Sequence, residues 1–247
     1  MSKKPELSLS ADHHVHSTFS DGSGSLEDNL EAARRAGLRH LGFVDHVRSD
    51  SDWVPAYAAR VAELAAGSDL TLTCGVEAKI LNREGLLDLP KDMNGVDRVI
   101  AADHQLPGHT GPLHPGEVRA ALEGGRATPS WVVEGLVQAT IAAMTLRRGL
   151  LLAHLFSLLP KVGLAEDDVS DLQIVRLAEA ASTSGALVEV SERWRCPSLR
   201  TLQVFRDADV PIVASSDAHS PSAIGRYDYV AFVFAALDTA TLQGSVA

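Results

Sequence analysis

Cysteine is scarce in this 247-residue sequence, which contains only Cys74 and Cys196. Two cysteines are too few for a disulfide framework, and such low usage is typical of a reducing compartment. The longest apolar run, residues 149–160, is interrupted by His154 and Ser157 and is too short to span a bilayer. The first residues also lack the apolar segment of a secretory signal. We therefore expect a cytoplasmic protein without a membrane segment.

A basic stripe is missing as well, because 22 lysine and arginine residues face 32 acidic ones and the net charge is −10. Surfaces that bind nucleic acid usually carry clustered basic residues. Here Arg34-Arg35 and Arg147-Arg148 are isolated pairs, which argues against long nucleic acid as a partner. The sequence shows no linker, repeat or low-complexity segment, and its composition is that of a globular protein. We expect one domain over residues 1–247.

Strand-like and helix-like patterns alternate along the chain. Short apolar runs predict strands at residues 7–16, 40–45, 70–77, 97–102, 150–153, 186–190, 210–214 and 229–235. Helices are predicted between Ser25 and Gly37 and over residues 55–66, 116–124, 130–147, 166–183 and 198–208, with a loop from Pro107 to Gly116. About seven βα units predict a parallel sheet covered by helices. Periodicity alone leaves a closed barrel and an open sheet as alternatives.

Acidic and imidazole side chains stand at the carboxyl ends of the predicted strands. In chain order these residues are His14 and His16, Asp45 and His46, Glu77, Asp103 and His104, His154, Glu189, and Asp217 and His219. The carboxyl ends of the strands form the active-site face of α/β barrels. The pattern therefore predicts a functional site at that end of the sheet.

The first strand carries an HxH pair that is suited to metal binding. Because alternate strand residues share a face, Asp12, His14 and His16 are expected on one side and His13 on the other. Two imidazoles on one strand can begin a site for a borderline metal ion. The complete set of candidate ligands is His14, His16, Asp21, His46, Glu77, His104, His154, Asp217 and His219. That number exceeds the needs of one ion and predicts two or three divalent metals.

These motifs make the sequence resemble the PHP (polymerase and histidinol phosphatase) family of metal-dependent phosphoesterases. The motifs are Asp12-His-His-Val-His16 with Ser20-Asp21-Gly22, Phe43-Val-Asp45-His46, Gly75-Val-Glu77, Val99-Ile-Ala-Ala-Asp-His104, Leu152-Ala-His154 and Ser215-Ser-Asp217-Ala-His219. They occur in order between Leu9 and Gly225. The first and last motifs are specific when they occur together, whereas the middle ones carry little information alone.

The resemblance implies a distorted (β/α)7 TIM-like barrel with a trinuclear metal site at the carboxyl ends of the strands. The first metal would take His14, His16, Glu77 and Asp217. The second would share Glu77 and add His104 and His154. The third would use His46, His219 and Asp21. Zinc, manganese and iron all suit such ligands.

The resemblance also implies hydrolysis of a small-molecule phosphate monoester by a metal-activated hydroxide. Three divalent ions would bring about +6 and three carboxylates about −3, so the site could attract a phosphate dianion despite the net charge of the chain. Asp217 and His219 are the candidate proton-transferring residues, although ligation would occupy them. Their role in catalysis stays open.

An arginine is expected to contact the phosphate, since guanidinium suits bidentate recognition. The candidates are Arg193, Arg195 and Arg226, with preference for Arg195 and Arg226; the alternative is that each is a solvated loop residue. His109 and His114 are expected to be exposed loop residues rather than parts of a lid.

Several residues are expected to support the site or the core rather than to bind metal. Glu189 is expected to form hydrogen bonds near the site, and Asp12 and Asp45 to orient ligand imidazoles. His13 is expected to be packed away from the ligands. His40 begins a strand, so we expect it at the opposite end of the barrel in a structural role.

The substrate itself is left open by the sequence. Leu155-Phe156 after His154, Asp103 before His104, and the residues after Glu189 depart from the pattern of histidinol phosphatases. The alternative functions are a phosphodiesterase for cyclic or short oligonucleotide phosphates, a non-catalytic metal-binding module, and a hydrolase of non-phosphate substrates. Metal identity and oligomeric state are also left open.

Overall fold

The computed structural model describes residues 7–244, with side chains up to residue 239. The strands are β1 (Ala11–Val15), β2 (His40–His46), β3 (Thr71–Lys79), β4 (Arg98–Ala102), β5 (Leu106–Pro107), β6 (Pro112–Leu113), β7 (Leu151–Leu152), β8 (Leu187–Ser191) and β9 (Ile212–Ser215). The α-helices are α1 (Leu26–Arg35), α2 (Val54–Ala66), α3 (Pro115–Glu123), α4 (Pro129–Leu146), α5 (Leu158–Lys161), α6 (Asp171–Ser184), α7 (Leu199–Asp207) and α8 (Tyr229–Gly244). Within this part of the chain, every helix is too short or too polar to cross a membrane.

Seven parallel strands form a nearly closed barrel in the order β1-β2-β3-β4-β7-β8-β9. The two ends of this sheet meet, since Val15 pairs in parallel with Ala218 and the His16 amide donates to the Ala218 carbonyl at 2.9 Å. The prediction of a (β/α)7 TIM-like barrel is confirmed. Closure places the carboxyl ends of all seven strands around one opening.

The core lies mainly between the strands and the surrounding helices. Phe43 belongs to this large cluster, whereas its neighbour Val44 packs with Ile100 and Leu151 in a small separate one. Because successive strand side chains point to opposite faces, the small cluster fills the barrel interior. Apolar residues on both faces explain why the strands read as nearly continuous apolar runs.

Serine caps begin two of the helices, α1 and α6. The Ser25 hydroxyl accepts from the Asp28 amide at 3.1 Å, and the Asp28 carboxylate accepts from the Ser25 amide at 3.1 Å. This reciprocal pair satisfies two amide groups that the first turn of α1 leaves free. Ser170 and Gln173 repeat the arrangement at the start of α6.

The prediction of a final strand over residues 229–235 was wrong, because this segment lies in α8. The run Tyr-Val-Ala-Phe-Val-Phe-Ala has strong β propensity, which tertiary context can override. Both neighbours of β9 are already present in the closed barrel, so an eighth strand has no partner there. The amides of Tyr229 and Val230 instead donate to the Glu192 carboxylate at 3.1 and 3.0 Å. An acidic group at the first turn stabilises a helix.

Smaller differences concern element boundaries. The first strand begins at Ala11 rather than Leu7, and the segment expected as one helix over residues 166–183 divides into a 3-10 turn, Glu166–Asp168, and α6. The expected loop from Pro107 to Gly116 contains the antiparallel pair β5-β6 and the start of α3. The short helix α5 was not predicted.

Candidate metal centre

The nine predicted ligand side chains lie together at the carboxyl ends of the strands, and Glu77 on β3 stands at their centre. Glu77 Oε1 is 3.0 Å from Nε2 of both His104 and His154. Glu77 Oε2 is 2.9 Å from His46 Nδ1, 3.3 Å from His14 Nε2 and 3.5 Å from His16 Nε2. Five imidazoles delivered by four strands therefore converge on one carboxylate.

Asp21, Asp217 and His219 complete the cluster on the side where β9 meets β1. Asp217 Oδ1 is 3.2 Å from His16 Nε2, and Asp21 Oδ2 is 3.3 Å from His219 Nε2 and 3.5 Å from His46 Nε2. Residues far apart in sequence become neighbours here because the barrel closes.

The donor atoms fit divalent metal ions. Two ligands of a tetrahedral zinc-type ion, each about 2.1 Å from it, lie about 3.4 Å apart, and the distances above cluster around that value. Among the described residues, the buried atoms His14 Nε2 and both ring nitrogens of His16 have no hydrogen-bond partner. Buried polar atoms without partners are costly unless a cation occupies the space between them. Three groups of donors within 4.8 Å of one another are present: His14, His16 and Asp217; His46, Glu77 and His104; and His16, Asp21, His46 and His219.

Two carboxylates behind the cluster orient its imidazoles. Glu189 Oε2 accepts from His14 Nδ1 at 3.0 Å, which leaves Nε2 directed at Glu77. His154 Nδ1 lies 3.0 Å from Ser157 Oγ, which in turn donates to Asp103 Oδ1 at 2.7 Å, and Asp103 Oδ1 lies 3.4 Å from the same ring nitrogen. A carboxylate behind an imidazole fixes its tautomer and makes it a better ligand. The supporting role predicted for Glu189 thus agrees with the geometry. The sequence places Asp103 at a strand end but does not predict its supporting role.

The expectation that Asp12 and Asp45 orient imidazoles was wrong. Asp12 accepts from the backbone amides of Ser216 and Gly225 at 2.9 and 3.1 Å, and Asp45 accepts from the amide and hydroxyl of Ser17 at 2.9 and 2.7 Å. Both carboxylates therefore hold the loops that carry the cluster. Both side chains contact backbone amides and, in the case of Asp45, serine hydroxyls rather than imidazole rings.

Electrostatics in the cluster favour ionised carboxylates and cations. Burial opposes the charge of Glu77, but His104 and His14 outweigh burial and hold the Glu77 pKa well below its usual range. Burial likewise lowers the pKa of His154, yet its contacts with the Asp103 and Glu77 carboxylates raise that pKa to about 10. Metal ions compete with protons for such imidazoles.

The backbone is strained at two cluster residues, since His154 has φ 27° and Asp217 has φ 50°. Such conformations are costly for residues other than glycine and are often retained at functional sites. The His154 amide donates to Glu189 Oε1 at 2.7 Å, which helps to hold its conformation. The same carboxylate therefore supports both His14 and His154.

A cleft of about 290 Å³, here called the cluster cleft, opens over these residues. Beyond the cluster its lining consists of Lys161, Arg193 and Trp194. Of the three predicted phosphate-binding arginines, Arg193 lines the cleft and contacts the His219 ring and the Asp217 carbonyl.

The preference for Arg195 and Arg226 is not supported by the geometry. The Arg195 guanidinium lies 5.6 Å from the Tyr229 ring centroid, and Arg226 is an exposed residue after the 3-10 turn Pro221–Ala223. The backbone of Arg195 is left-handed, with φ 52°, and its side chain faces Tyr229, whereas the side chain of Arg193 lines the cleft.

Sequence reasoning missed Lys161 and Trp194. Trp194 Nε1 donates to Asp217 Oδ2 at 2.7 Å, and Lys161 Nζ lies 4.1 Å from the Trp194 ring centroid. Trp194 is thus a direct partner of a cluster carboxylate. Both residues lie in loops or short helices with no recognisable motif.

The remaining histidines lie outside the cluster. His109 and His114 are exposed, as expected, and His114 Nδ1 accepts from the Gly116 amide at 3.1 Å to cap α3. His13 and His40 stack with ring centroids 4.4 Å apart at the amino-terminal end of the barrel. Their predicted packing roles agree with this placement.

A parallel barrel that gathers imidazoles and carboxylates around one opening is the arrangement expected of a metal-dependent hydrolase. The family follows from the sequence comparison: the chain belongs to the PHP domain family, whose model matches residues 12–192. Asp217 and His219 lie beyond the matched residues, and barrel closure brings them to the cluster. Membership in this family together with the donor set indicates use of divalent metal ions.

Three solved structures of low sequence identity are similar to this chain over most of its length, with TM-scores from 0.41 to 0.48. N-isopropylammelide isopropylaminohydrolase from Burkholderia multivorans is 13% identical with a TM-score of 0.48, over 93% of this chain and 68% of that chain. A protein described as a "putative metal-dependent phosphoesterase" from Bifidobacterium adolescentis is 17% identical with a TM-score of 0.46, over 86% of this chain and 88% of that chain. A D-hydantoinase is 11% identical with a TM-score of 0.41, over 84% and 57% of the two chains. No curated protein matches the chain significantly.

Proposed function

We propose that this protein is a phosphatase that uses two or three divalent ions, of zinc, manganese or iron, to hydrolyse a small-molecule phosphate monoester. The observation that carries the proposal is that Lys161 and Arg193 line the same cleft as the metal-type cluster. Two cationic side chains beside metal ligands suit a phosphate dianion. A cleft of about 290 Å³ suits a small substrate group rather than a polymer.

The chemistry requires only water as co-reactant. Hydrolysis breaks the bond between phosphorus and the ester oxygen; water supplies a hydroxyl to phosphorus and a proton to the departing alcohol. When bound, divalent cations lower the pKa of water and neutralise charge on phosphoryl oxygens. The ligands would be His14, His16, Asp21, His46, Glu77, His104, His154, Asp217 and His219.

The side chains of the cluster cleft have distinct roles in this proposal. Arg193 and Lys161 bind and orient the phosphoryl group. Asp217 Oδ1 lies 3.2 Å from His16 Nε2, a spacing that suits two ligands of one ion, and its Oδ2 accepts from Trp194 Nε1, so we assign Asp217 to ligation rather than to proton transfer. His219 lines the cleft and belongs to the same ligand set, so the proton for the departing alcohol is assigned to the attacking water.

Hydrolysis of a panel of phosphate monoesters and diesters tests the proposal, using protein of measured metal content with and without added manganese. We expect inorganic phosphate from monoesters, loss of this activity in His14→Ala, and retention in the matched control His109→Ala. Both variants should keep the circular dichroism spectrum of the wild type.

The other outcomes separate the alternatives. Turnover of diesters alone would replace the phosphatase by a phosphodiesterase. Metal binding without turnover of either class would contradict the proposal and favour a binding module or a hydrolase of non-phosphate substrates. Equal activity in His14→Ala and wild type would remove the cluster from the reaction.

A further inference from the structure

A second and larger cleft, of about 640 Å³, adjoins the cluster cleft. The two clefts share Asp21, His46, Glu77 and His104. We call the larger one the aromatic cleft; its wall beyond the cluster includes Phe19, Arg48, Ser51, Trp53, Lys79 and Gln105. A phosphoryl group held at the cluster therefore has space beside it for the alcohol part of its substrate.

The aromatic wall of this cleft is firmly supported. The ring centroids of Phe19 and Trp53 are 5.6 Å apart, and both rings pack on Tyr57, at 5.2 and 5.6 Å. Tyr57 is fully buried and donates its hydroxyl to the Gly75 carbonyl at 3.0 Å. A partly exposed aromatic surface on such a base suits a planar ring, which gains from offset or edge contacts.

Arg48 supplies positive charge to the same cleft. Its loop is held in place: the Val47 amide donates to the Glu77 carbonyl at 2.9 Å, and the Arg48 amide donates to Ser51 Oγ at 3.0 Å. Within the described chain, no carboxylate forms an ion pair with the Arg48 guanidinium. Lys79 differs, since its Nζ lies 3.5 Å from Asp88 Oδ2. Arg48 is therefore the unpaired cation of this wall.

We propose that the aromatic cleft binds the leaving group of the substrate and selects an alcohol that carries a planar ring and a negatively charged group. The ring packs on Trp53 and the anionic group pairs with Arg48. This inference rests on the proposed phosphatase function and narrows its substrate class. Arg48 repels a cationic leaving group, so amino-alcohol phosphates are poor substrates.

Three aryl phosphates that differ mainly in charge test the proposal: 4-carboxyphenyl, phenyl and 4-(aminomethyl)phenyl phosphate. With metal-loaded enzyme, we expect kcat/KM to fall in that order. The kcat/KM of the anionic ester should be about tenfold higher than that of the neutral ester. Arg48→Gln removes this preference, and the exposed Arg147→Gln retains it. Comparing variants cancels the intrinsic reactivity of each ester.

Trp53 has its own readout. Trp53→Ala lowers kcat/KM for phenyl phosphate relative to an alkyl phosphate, and Trp53→Phe restores most of the loss because a ring is still present. An anionic preference that is identical in wild type and Arg48→Gln would overturn the assignment of Arg48. An aryl-to-alkyl ratio that is unaffected by Trp53→Ala would overturn the assignment of the aromatic wall.

Binding of 4-hydroxybenzoate and phenol, measured by calorimetry, decides the inference without turnover. Tighter binding of 4-hydroxybenzoate by wild type than by Arg48→Gln supports the aromatic cleft as the site of an anionic leaving group. If this result is obtained and no ester is hydrolysed, the proposed phosphatase function alone fails. Equal binding by both proteins overturns the inference.

Discussion

Replacement of His13 by glutamine is expected to reduce the loss of stability on acidification. His13 stacks on His40 in a small cavity at the amino-terminal end of the barrel, which Arg98 also lines. Burial, followed by the positive charges of His40 and Arg98, lowers the His13 pKa from 6.5 to about 3. His13 is therefore neutral in the folded protein at pH 5 and protonated in the unfolded chain.

The lowered pKa sets the sign and size of the effect. Stability from neutral His13 is present above pH 6.5 and is lost as the pH falls toward 3, at about 1.4 kcal/mol per pH unit. Between pH 7 and pH 5, His13 thus contributes a loss of about 2 kcal/mol in the free energy of unfolding. His13→Gln removes this contribution.

Urea unfolding of chelator-treated wild type and His13→Gln at both pH values measures the difference. The chelator removes metal, so ligand protonation affects both proteins equally. We expect wild type to lose about 2 kcal/mol more than the variant, and the exposed His109→Gln to behave like wild type. Equal losses in wild type and His13→Gln would refute the reasoning.

Trp194→Phe removes the donor to Asp217 and should weaken metal binding by about tenfold or more in a competition titration, while Trp131→Phe, outside the cleft, should not. Unchanged affinity in Trp194→Phe would show that the hydrogen bond does not support the site. Gly42→Ala places a Cβ 2.6 Å from a backbone carbonyl oxygen of β1 and should lower the free energy of unfolding by about 1–3 kcal/mol in urea titrations. Gly67→Ala, with open space around it, is the control. Equal stability of the two alanine variants would contradict the close packing of β1 and β2.

The cluster could be predicted from sequence because topology alone brings its residues together. His14, Glu77 and His154 each stand at the carboxyl end of a parallel strand, and closure of the barrel makes those ends neighbours. Motif order then identified the family. Local pattern and global fold agree at these positions, as expected of natural sequences.

The residues around the cluster could not be predicted in the same way, because loop conformation decides their direction. Arg193 and Arg195 are two residues apart, yet one lines the cleft and the other faces Tyr229. Lys161 reaches the cleft through α5, a single turn without a sequence signature. The β propensity of residues 229–235 predicted a strand that does not form, for a related reason: the closed sheet left that segment no strand to pair with.

Metal content and phosphate release measured on Glu77→Gln test the central claim most directly. Glu77 faces five imidazoles, so its loss should affect more than one metal position. We expect wild type to bind two or three equivalents of manganese and to hydrolyse monoesters, Glu77→Gln to lose both properties, and the exposed Glu179→Gln to keep them. Wild-type protein without bound metal, or a Glu77→Gln variant with wild-type metal content and activity, would contradict a metal centre built around Glu77.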